Sequence, residues 1–510
     1  MSTPKTEGRQ AGSESRFLAL YWLVLLTVLT VAMYLPSLQI GYYHDNCRSI
    51  LQPPSSSPWY YWTHSPPRIE YSYRPVHYTI LLAIQRAYGL NPVPVHMVVL
   101  PLSILVCWLI FVFMRTSGFC TAEAALASLF MLVYEVNSAA VLRLDNLNQP
   151  LGVTFGLTAL WLANRGFLHT GRGSPPRLAG WPYALSLAAL AMALFTRETL
   201  LPYSAMLALV VFLNNRKSGD LRSAIGRSIL QIAPYVIVTA IYIAVRLTYV
   251  LDQPKFGPGE YDMHLGANII KNAVLYVIAL SMPISTVDMF AAVKTHNFAL
   301  AGVFATFTLV WVAAIMHGIL RSRKRPVALA LAAFTVIGWF PVILMNHLSE
   351  QWGYTVAPFV TALIGIGAVS LVSAYRKLPA KRALAVALIA LALVSHGIAM
   401  HRKMMWLKHG NDFAISLRGQ INKYALQAPL HSTIWIVNRP RGEVEYGHYL
   451  VRGTGVLCHT CLDLYCKRPR INYRLVEPDK FRESDAKPGE LILRLEGETL
   501  KPSRALGGRS

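Results

Sequence analysis

Long apolar runs separated by short polar breaks follow one another from residue 17 to residue 400 of this chain. A helix needs about 20 mostly apolar residues to cross the hydrocarbon of a bilayer, so the pattern predicts an all-α polytopic membrane protein. The predicted spans lie near residues 17–36, 93–113, 121–137, 149–165, 180–196, 199–213, 229–250, 298–320, 327–345, 354–373 and 383–400.

Basic residues cluster at the ends of these runs and indicate the side of each loop. The clusters are Arg115; Arg165, Arg172 and Arg177; Arg216, Lys217, Arg222 and Arg227; Arg321, Arg323, Lys324 and Arg325; and Arg376, Lys377, Lys381 and Arg382. By the positive-inside rule all of them are cytoplasmic, together with a tail over residues 1–16. About eleven crossings result, and up to about 13 if ambiguous segments also cross, with the C-terminal region outside.

Two segments decide that count. Residues 74–90 are short for a span and carry Arg74, His77, Gln85 and Arg86, which predicts an amphipathic helix on the outer surface. Residues 265–285 would also put later basic loops on the wrong side if they crossed, and we expect an outer in-plane or re-entrant helix there. The run 181–213 is too long for one helix. Its break at Thr196-Arg197-Glu198-Thr199 predicts a tight hairpin at the outer surface.

Composition supports a membrane protein and excludes several functions. Of the 510 residues, 54% are hydrophobic and 14% are charged, which is too apolar for a soluble enzyme. The net charge of +23 is a topology signal, not the footprint of a nucleic-acid-binding protein. No cleavage site follows Pro36, so the first run is a retained anchor. No Asp-x-Asp motif or Walker loop is present, and Gly365-x-Gly367 lies in an apolar run where helix packing is the expected role.

Residues 401–510 have a different pattern. Residues 402–428 predict an amphipathic helix, and residues 432–438, 471–476 and 490–496 predict strands of a small α/β extracytoplasmic domain. Four cysteines fall on the outer side: Cys47, Cys458, Cys461 and Cys466. Two disulfides in any pairing, a zinc site that includes His459, and free thiols all fit this spacing.

The outer loops hold most of the polar groups that could carry chemistry. They are His44, Asp45, Arg74, Glu135, Arg143, Asp145, Arg197, Glu198, His347 and Glu350. An outward-facing enzyme without nucleotide-binding motifs must take an activated substrate from the membrane. A sugar on a polyprenyl phosphate is such a substrate.

Asp45 is the candidate catalytic base. It lies in the first outer loop, residues 37–92, directly after the first span, where an ionisable group close to hydrocarbon often marks function. A sugar phosphate already has a good leaving group, so one base that accepts the acceptor proton is sufficient and the product is inverted at the anomeric carbon. An exposed loop carboxylate and a helix cap are the alternatives.

Arginines on the same side are candidate ligands of the lipid phosphate. Guanidinium binds phosphate through paired hydrogen bonds and stays charged, which suits Arg74, Arg197 and, less directly, Arg143. The alternative is an interfacial arginine that reaches the headgroups.

Five further residues are candidates for substrate binding: His44, Asp145, Glu198, His347 and Glu350. Glu198 equally fits charge balance for Arg197. His347 and Glu350 fit sugar binding or, with Asp45, a divalent metal; no metal or other cofactor is the preferred expectation.

Three motifs in this order resemble the C-type glycosyltransferase superfamily: Asp45 after span one, Tyr73-Arg74-Pro75 opening an amphipathic helix, and Thr196-Arg197-Glu198 between two short spans. The pattern is similar to protein O-mannosyltransferases, their tetratricopeptide-bearing relatives and bacterial aminoarabinose transferases, over residues 15–400. The resemblance implies a C-type transmembrane module over residues 17–400, a polyprenyl-phosphate sugar donor, Asp45 as base, and phosphate contacts at Arg74 and Arg197.

Two departures from the family pattern limit which properties of the family can be expected of this chain. Asn46 stands where many relatives have a second acid, and Tyr134-Glu135-Val136 stands where relatives often have His-Pro. The expected activity is transfer of the sugar to a lipid, glycan or protein acceptor at the outer face of a bacterial inner membrane. A flippase for lipid-linked saccharides and a non-catalytic scaffold are the alternatives.

Overall fold

The computed structural model describes residues 7–41, 57, 59–64, 73–167, 180–216, 220–250, 265–282, 289, 292–293, 295–322, 324–345, 350–437, 471–476 and 478–504. The predicted fold class is confirmed, because most described residues lie in apolar helices and a small mixed sheet follows them. The helices are α1 (Glu7–Tyr34), α2 (Tyr60–Thr63), α3 (Pro75–Tyr88), α4 (Val93–Thr116), α5 (Thr121–Val133), α6 (Ser138–Leu142), α7 (Asn148–Gly166), α8 (Trp181–Thr196), α9 (Pro202–Arg216), α10 (Leu221–Val250), α11 (Ala267–Ser281), α12 (Phe298–Arg321), α13 (Arg325–Ile343), α14 (Ala357–Ala374) and α15 (Pro379–Gln427).

Each predicted span coincides with a helix. Within the described residues, six of these helices are long and apolar enough to cross a membrane, or seven if the bent pair Thr121–Val133 and Glu135–Leu142 forms one span. Three shorter apolar helices accompany them, Trp181–Thr196, Ala267–Ser281 and Arg325–Phe340. The protein is therefore an integral multi-pass membrane protein, and the count of eleven crossings remains a prediction.

Polar contacts fall at two opposite ends of the helix bundle. At one end, Lys324 donates to the Gly118 carbonyl oxygen (2.7 Å) and pairs with Glu123 (3.0 Å). The basic ends of α4, α7 and α9 lie there too, since Asn164 Nδ2 donates to Ser117 Oγ (3.3 Å) and Asn214 donates to Asn164 (3.4 Å). We call this the basic end, and the opposite end the site end.

The site end gathers the loops that were predicted to be extracytoplasmic. Tyr203 donates to the Thr355 carbonyl oxygen (3.0 Å), and Gln149 donates to the Gln351 carbonyl oxygen (2.7 Å). The separation of the two ends agrees with the loop sorting based on basic residues, in which positive charge collects on one side.

Two helices contact the site end along their length. In α3, Val76, His77 and Leu81 are buried while Arg86 and Tyr88 are exposed, as expected for an amphipathic helix; the helix ends at Gly89, whose φ of 62° favours glycine.

Helix α11 is attached at both its ends. Asn272 donates to the Met345 carbonyl oxygen (2.6 Å), and the Leu280 carbonyl oxygen accepts from Tyr134. Both partners lie at the site end, which fits an in-plane helix in residues 265–285.

The segment predicted to begin the C-terminal domain forms part of α15. The predicted helix over residues 402–428 is continuous with the last span, because no proline or glycine interrupts the junction at residues 398–409, so one helix of 49 residues runs from the basic end to the sheet. Its length of about 73 Å exceeds the membrane thickness.

The sheet has the order β2-β1-β3-β4, with β1 (Thr433–Val437), β2 (Asn472–Val476), β3 (Leu491–Glu496) and β4 (Thr499–Arg504). The first three strands are parallel and match the predicted strands, while β4 pairs antiparallel with β3. Sequence reasoning missed β4, which contains Pro502; proline is tolerated on an edge strand because one side of that strand needs no ladder hydrogen bonds.

Glycines set the closest helix contacts of the bundle. A Cβ built on Gly318 of α12 would lie 1.9 Å from the Gly367 carbonyl oxygen of α14, and one built on Gly365 would lie 2.5 Å from the Glu123 carbonyl oxygen. Gly365 and Gly367 are packing glycines, as the sequence predicts.

Gly318→Ala is therefore expected to destabilise the protein by about 1–3 kcal/mol, because α12 and α14 must separate to admit the methyl group. Gly302→Ala in the same helix is the matched control, since a methyl there meets nothing within 4 Å. The midpoint of SDS unfolding in mixed micelles measures the stability of both variants. Equal midpoints for the two variants would contradict the packing described.

Candidate functional site

Arg74 and Glu198 form the centre of the site end. Arg74 precedes the first turn of α3, and Glu198 opens the turn between α8 and α9. Arg74 Nε donates to Glu198 Oε2 (2.9 Å) and Nη2 donates to Oε1, so the pair is bidentate. The two side chains are 18% and 17% exposed, so the pair is mostly buried but part of it can be reached by an incoming group. Among the described residues, Arg74 Nη1 makes no hydrogen bond.

The surroundings of Glu198 are strongly cationic. Burial alone would raise the pKa of the Glu198 carboxyl, but the charge and hydrogen bond of Arg74 and the charges of Arg246 and Arg197 outweigh it and hold the pKa well below its usual range. Glu198 is thus ionised at neutral pH. Three guanidiniums therefore act on one carboxylate, and positive charge concentrated in this way favours an anion.

Arg197 is almost fully buried beside this pair, with 3% of its surface exposed. Its Nε donates to Thr199 Oγ1 (3.0 Å) and its Nη1 donates to Asn148 Oδ1 at the start of α7. The residue has extended backbone at the end of α8, which turns its side chain into the protein. Arg197 therefore joins α7 to the turn that carries Glu198.

His77 lies one turn after Arg74 on α3 and is buried. Burial lowers the pKa of this histidine well below its usual value, and the charges of Arg74 and Arg197 lower it further. His77 is neutral at physiological pH and adds no positive charge to the cluster.

Aromatic residues of the first outer loop pack beside Arg74. The Tyr73 ring stacks on Tyr249 of α10 at 5.2 Å between centroids, and Trp62 lies 5.7 Å from Phe195 of α8. Burial raises the pKa of Tyr73 to about 12, so the hydroxyl stays protonated and donates to the Trp62 carbonyl oxygen (2.8 Å). These rings give the cationic cluster an apolar wall.

Arg143 and Asp145 lie between α6 and α7 and bind each other. Arg143 Nε donates to Asp145 Oδ1 (3.1 Å), and Nη2 donates to Oδ2 (2.7 Å). Both are partly exposed, at 23% and 14%.

A third ion pair at the site end is almost fully buried. Glu135, directly after α5, pairs with Lys403 of α15, and their side chains are 0% and 4% exposed. Next to it, Tyr134 donates to the Leu280 carbonyl oxygen of α11. These polar contacts connect α5, α11 and α15 at the site end.

Several predicted residues lie outside the part of the chain that the structure describes. These are His44, Asp45, His347, Cys47, Cys458, Cys461 and Cys466, and the side chain of Glu350. Their assignments stay predictions. The structure brings together Arg74, Arg197 and Glu198 and places Arg143 with Asp145.

Within the described residues, no group of three or more His, Cys, Asp or Glu side chains is placed to hold a metal ion. His44, Asp45 and His347 are not covered by that statement.

Comparison with known proteins gives matches among solved structures. No family model matches the chain, and no curated protein matches it. ArnT from Cupriavidus metallidurans, solved in the apo state and bound to undecaprenyl phosphate, is similar over 93% of both chains, with 14% identity and a TM-score of 0.48. The Archaeoglobus fulgidus oligosaccharyltransferase, tethered with an acceptor peptide, is similar over 86% of this chain and 63% of its own, with 13% identity and a TM-score of 0.44.

A further structure of the archaeal oligosaccharyltransferase, in complex with zinc and sulfate, is similar over 85% of this chain and 61% of its own, with 13% identity and a TM-score of 0.45.

Sequence reasoning missed Arg246, Asn148 and Lys403. Arg246 lies inside the apolar run 229–250, and a charged residue in such a run is itself an indication of function. The sequence pattern predicts that Lys403 lies in a separate amphipathic helix. Asn148 carries no signal in the sequence, because a neutral amide at a helix start is common.

Proposed function

We propose that this protein is a membrane glycosyltransferase that transfers a sugar from a polyprenyl-phosphate donor to a lipid, glycan or protein acceptor. The cationic cluster of Arg74, Arg197 and Arg246 around Glu198 carries the proposal. It lies at the site end, which the loop sorting assigns to the outer membrane surface, where the phosphate of a lipid-linked sugar would be found. The expected location is a bacterial inner membrane, with the site facing the periplasm.

The cluster suits a phosphate better than it suits a carboxylate substrate. Glu198 already takes Nε and Nη2 of Arg74 and thereby fixes the plane of the guanidinium, while Nη1 makes no hydrogen bond within the described residues. A phosphate offers more acceptor oxygens than a carboxylate and can bridge several arginines. The aromatic wall of Tyr73 and Tyr249 lies beside it and suits the first isoprene units.

The reaction follows from the chemistry of the donor. The bond between the anomeric carbon and the phosphate oxygen breaks, its electron pair leaves with the phosphate, and the arginines stabilise the charge that develops there. The acceptor hydroxyl attacks the opposite face of the sugar and gives its proton to the proposed base, Asp45. The product is a glycoside inverted at the anomeric carbon, together with polyprenyl phosphate.

A flippase is the second candidate, and the position of the charges favours transfer over transport. The charged pairs Arg74–Glu198, Arg143–Asp145 and Glu135–Lys403 all lie at the site end, whereas a transporter usually places its substrate-binding polar groups near the middle of the membrane. A non-catalytic scaffold has no need for three arginines grouped around one carboxylate.

Arg74→Met is expected to weaken binding of undecaprenyl phosphate at least about tenfold, because a charge-assisted hydrogen bond contributes about 1.5–3 kcal/mol. Arg74→Lys keeps the charge but loses the planar fork, and we expect an intermediate affinity. Titration of the purified protein in nanodiscs with undecaprenyl phosphate measures the dissociation constants.

Arg86→Met is the matched control for that titration, since Arg86 lies on the same helix and is exposed in its last turn. Its affinity should equal that of the unaltered protein. Equal affinities for Arg74→Met and Arg86→Met would contradict the assignment of the cluster as the phosphate site.

A further inference from the structure

The phosphate group gains a negative charge in the proposed reaction. In the donor it is a diester with a single charge. Once the bond to the anomeric carbon breaks it is a monoester, whose second pKa is about 6 and which carries nearly two charges at neutral pH. The Coulomb energy of a bound ion is proportional to its charge. A site built from cations alone would therefore hold the product, polyprenyl phosphate, more tightly than the donor.

Glu198 places a negative charge directly against the arginine that is proposed to hold this phosphate. Its two carboxylate oxygens accept from Nε (2.9 Å) and Nη2 of Arg74, and a phosphate at the remaining Nη1 would be separated from the carboxylate by the width of one guanidinium. Both side chains are mostly buried, so water and salt screen the carboxylate only weakly. The charge of Glu198 therefore acts on any ion that Arg74 binds.

Orientation of a guanidinium in this turn does not require a carboxylate. Next to Glu198, the neutral oxygens Thr199 Oγ1 (3.0 Å) and Asn148 Oδ1 accept from the buried Arg197. A neutral amide at position 198 could accept from Arg74 in the same manner. The property that only the carboxylate supplies is its negative charge.

That charge stays constant across the range in which the product ionises. Burial would raise the pKa of the Glu198 carboxyl, but Arg74 above all, together with the two other arginines of the cluster, holds it well below its usual range. Two further titratable groups face the carboxylate, the Tyr242 hydroxyl and His77, and burial keeps His77 neutral by lowering its pKa well below the usual value. Between about pH 5 and pH 8 the charge therefore changes on the ligand and not on the cluster.

We propose that Glu198 is a specificity-determining residue: its carboxylate weakens binding of the doubly charged product more than binding of the singly charged donor, so that polyprenyl phosphate leaves after transfer. The inference rests on the proposed function and adds to it the step that clears the site. Because the effect on the binding free energy doubles with the charge of the ligand, the factor by which the carboxylate weakens donor binding is squared for the product.

Two probes that differ in charge at the phosphate test this inference. Undecaprenyl methyl phosphate is a diester with the single charge of the donor, and undecaprenyl phosphate is the product itself; both are titrated into the purified protein in phosphatidylcholine nanodiscs at pH 8. The preference for the product is the dissociation constant of the methyl ester divided by that of undecaprenyl phosphate. Any loss of Arg74 orientation affects both probes alike and cancels in this ratio.

Glu198→Gln is expected to raise the preference about tenfold, because an uncharged amide no longer opposes the second charge of the product. The dissociation rate of undecaprenyl phosphate, measured by stopped flow, should fall by a similar factor, since changes of affinity within one site fall mainly on dissociation. A preference within twofold of that of the unaltered protein would overturn the proposal.

The pH dependence distinguishes charge from shape. At pH 5 undecaprenyl phosphate carries mostly one charge, so the preference of Glu198→Gln should return to that of the unaltered protein. The methyl ester keeps one charge at both pH values and reports any titration of the protein. A raised preference that persists at pH 5 would show an effect of shape and contradict the inference.

Three further variants keep the test decisive. Glu198→Asp retains the charge and should leave the preference within about twofold, whereas a rise as large as that of Glu198→Gln would overturn the proposal. If Glu198→Gln does not fold, Arg246→Met removes a positive charge instead and should lower the preference; an unchanged preference would again overturn it. Glu498→Gln, 62% exposed on the sheet, is the control and should leave the preference unchanged.

Comparison with Arg74→Met separates this inference from the proposed function. If Arg74→Met binds undecaprenyl phosphate as tightly as the unaltered protein, the cluster is not the phosphate site and both proposals fail. If Arg74→Met loses affinity while Glu198→Gln keeps the normal preference, only the role of Glu198 in product release fails.

Discussion

Asp45→Asn is expected to lower the rate of sugar transfer by about 10²- to 10⁴-fold, the range that a positioned general base contributes. The amide keeps the size of the side chain but cannot accept the proton of the acceptor hydroxyl. Binding of undecaprenyl phosphate should not change, because the lipid phosphate is held by the arginines. Single-turnover transfer from a polyprenyl-phosphate sugar, followed by the titration described above, measures both quantities.

Asp220→Asn serves as the control for this variant. Asp220 stands just before α10 at the basic end, on the other side of the predicted membrane, and its replacement should leave transfer intact. A rate for Asp45→Asn within twofold of the control would exclude Asp45 as the base.

Lys403→Met is expected to destabilise the protein by about 3–5 kcal/mol, the usual effect of removing one partner of a buried ion pair. Glu135 would stay fully buried without the Lys403 cation and would carry either a poorly compensated charge or a proton taken up at a free-energy cost, while methionine replaces the volume of the lysine stem. The double variant Glu135→Gln with Lys403→Met removes the buried charge and should recover most of the loss. SDS unfolding in mixed micelles gives the free energies.

The exposed pair of Lys501 with Glu496 on the edge of the sheet is the control, at 64% and 57% exposure. Lys501→Met should not shift the unfolding midpoint measurably, because exposed ion pairs are screened by water and salt. A double variant no more stable than Lys403→Met alone would show that lost packing, not the uncompensated charge, causes the destabilisation.

The fold could be predicted from the sequence because membrane helices obey simple constraints on length and hydropathy. Length and hydropathy place each helix, and the basic clusters at Arg115, Arg165 and Arg216 predict the side of each loop. The amphipathic helix after Arg74 was found for the same reason, since polar residues in a short apolar run do not fit a span. The continuity of α15 was missed because hydropathy reports where the membrane ends and not where a helix ends.

The site could be predicted from the sequence only in part. Motif order drew attention to Arg74, Arg197 and Glu198, and the structure brings all three together. That Glu198 binds Arg74 more closely than the adjacent Arg197 depends on how the turn after α8 is oriented, which no local pattern specifies. The same holds for Lys403, whose partner Glu135 is more than 260 residues away in the chain.

The central claim is that the cationic cluster holds a polyprenyl-phosphate sugar whose sugar is then transferred. The most direct test uses purified protein in liposomes that contain undecaprenyl phosphate charged with a labelled hexose, pentose or N-acetylhexosamine, with a membrane extract as acceptor. We expect the label to leave one of these donors as a new glycoside, with stoichiometric release of undecaprenyl phosphate, and Asp45→Asn to abolish this release. Label that remains on the lipid and instead crosses the bilayer would contradict the account and identify a flippase.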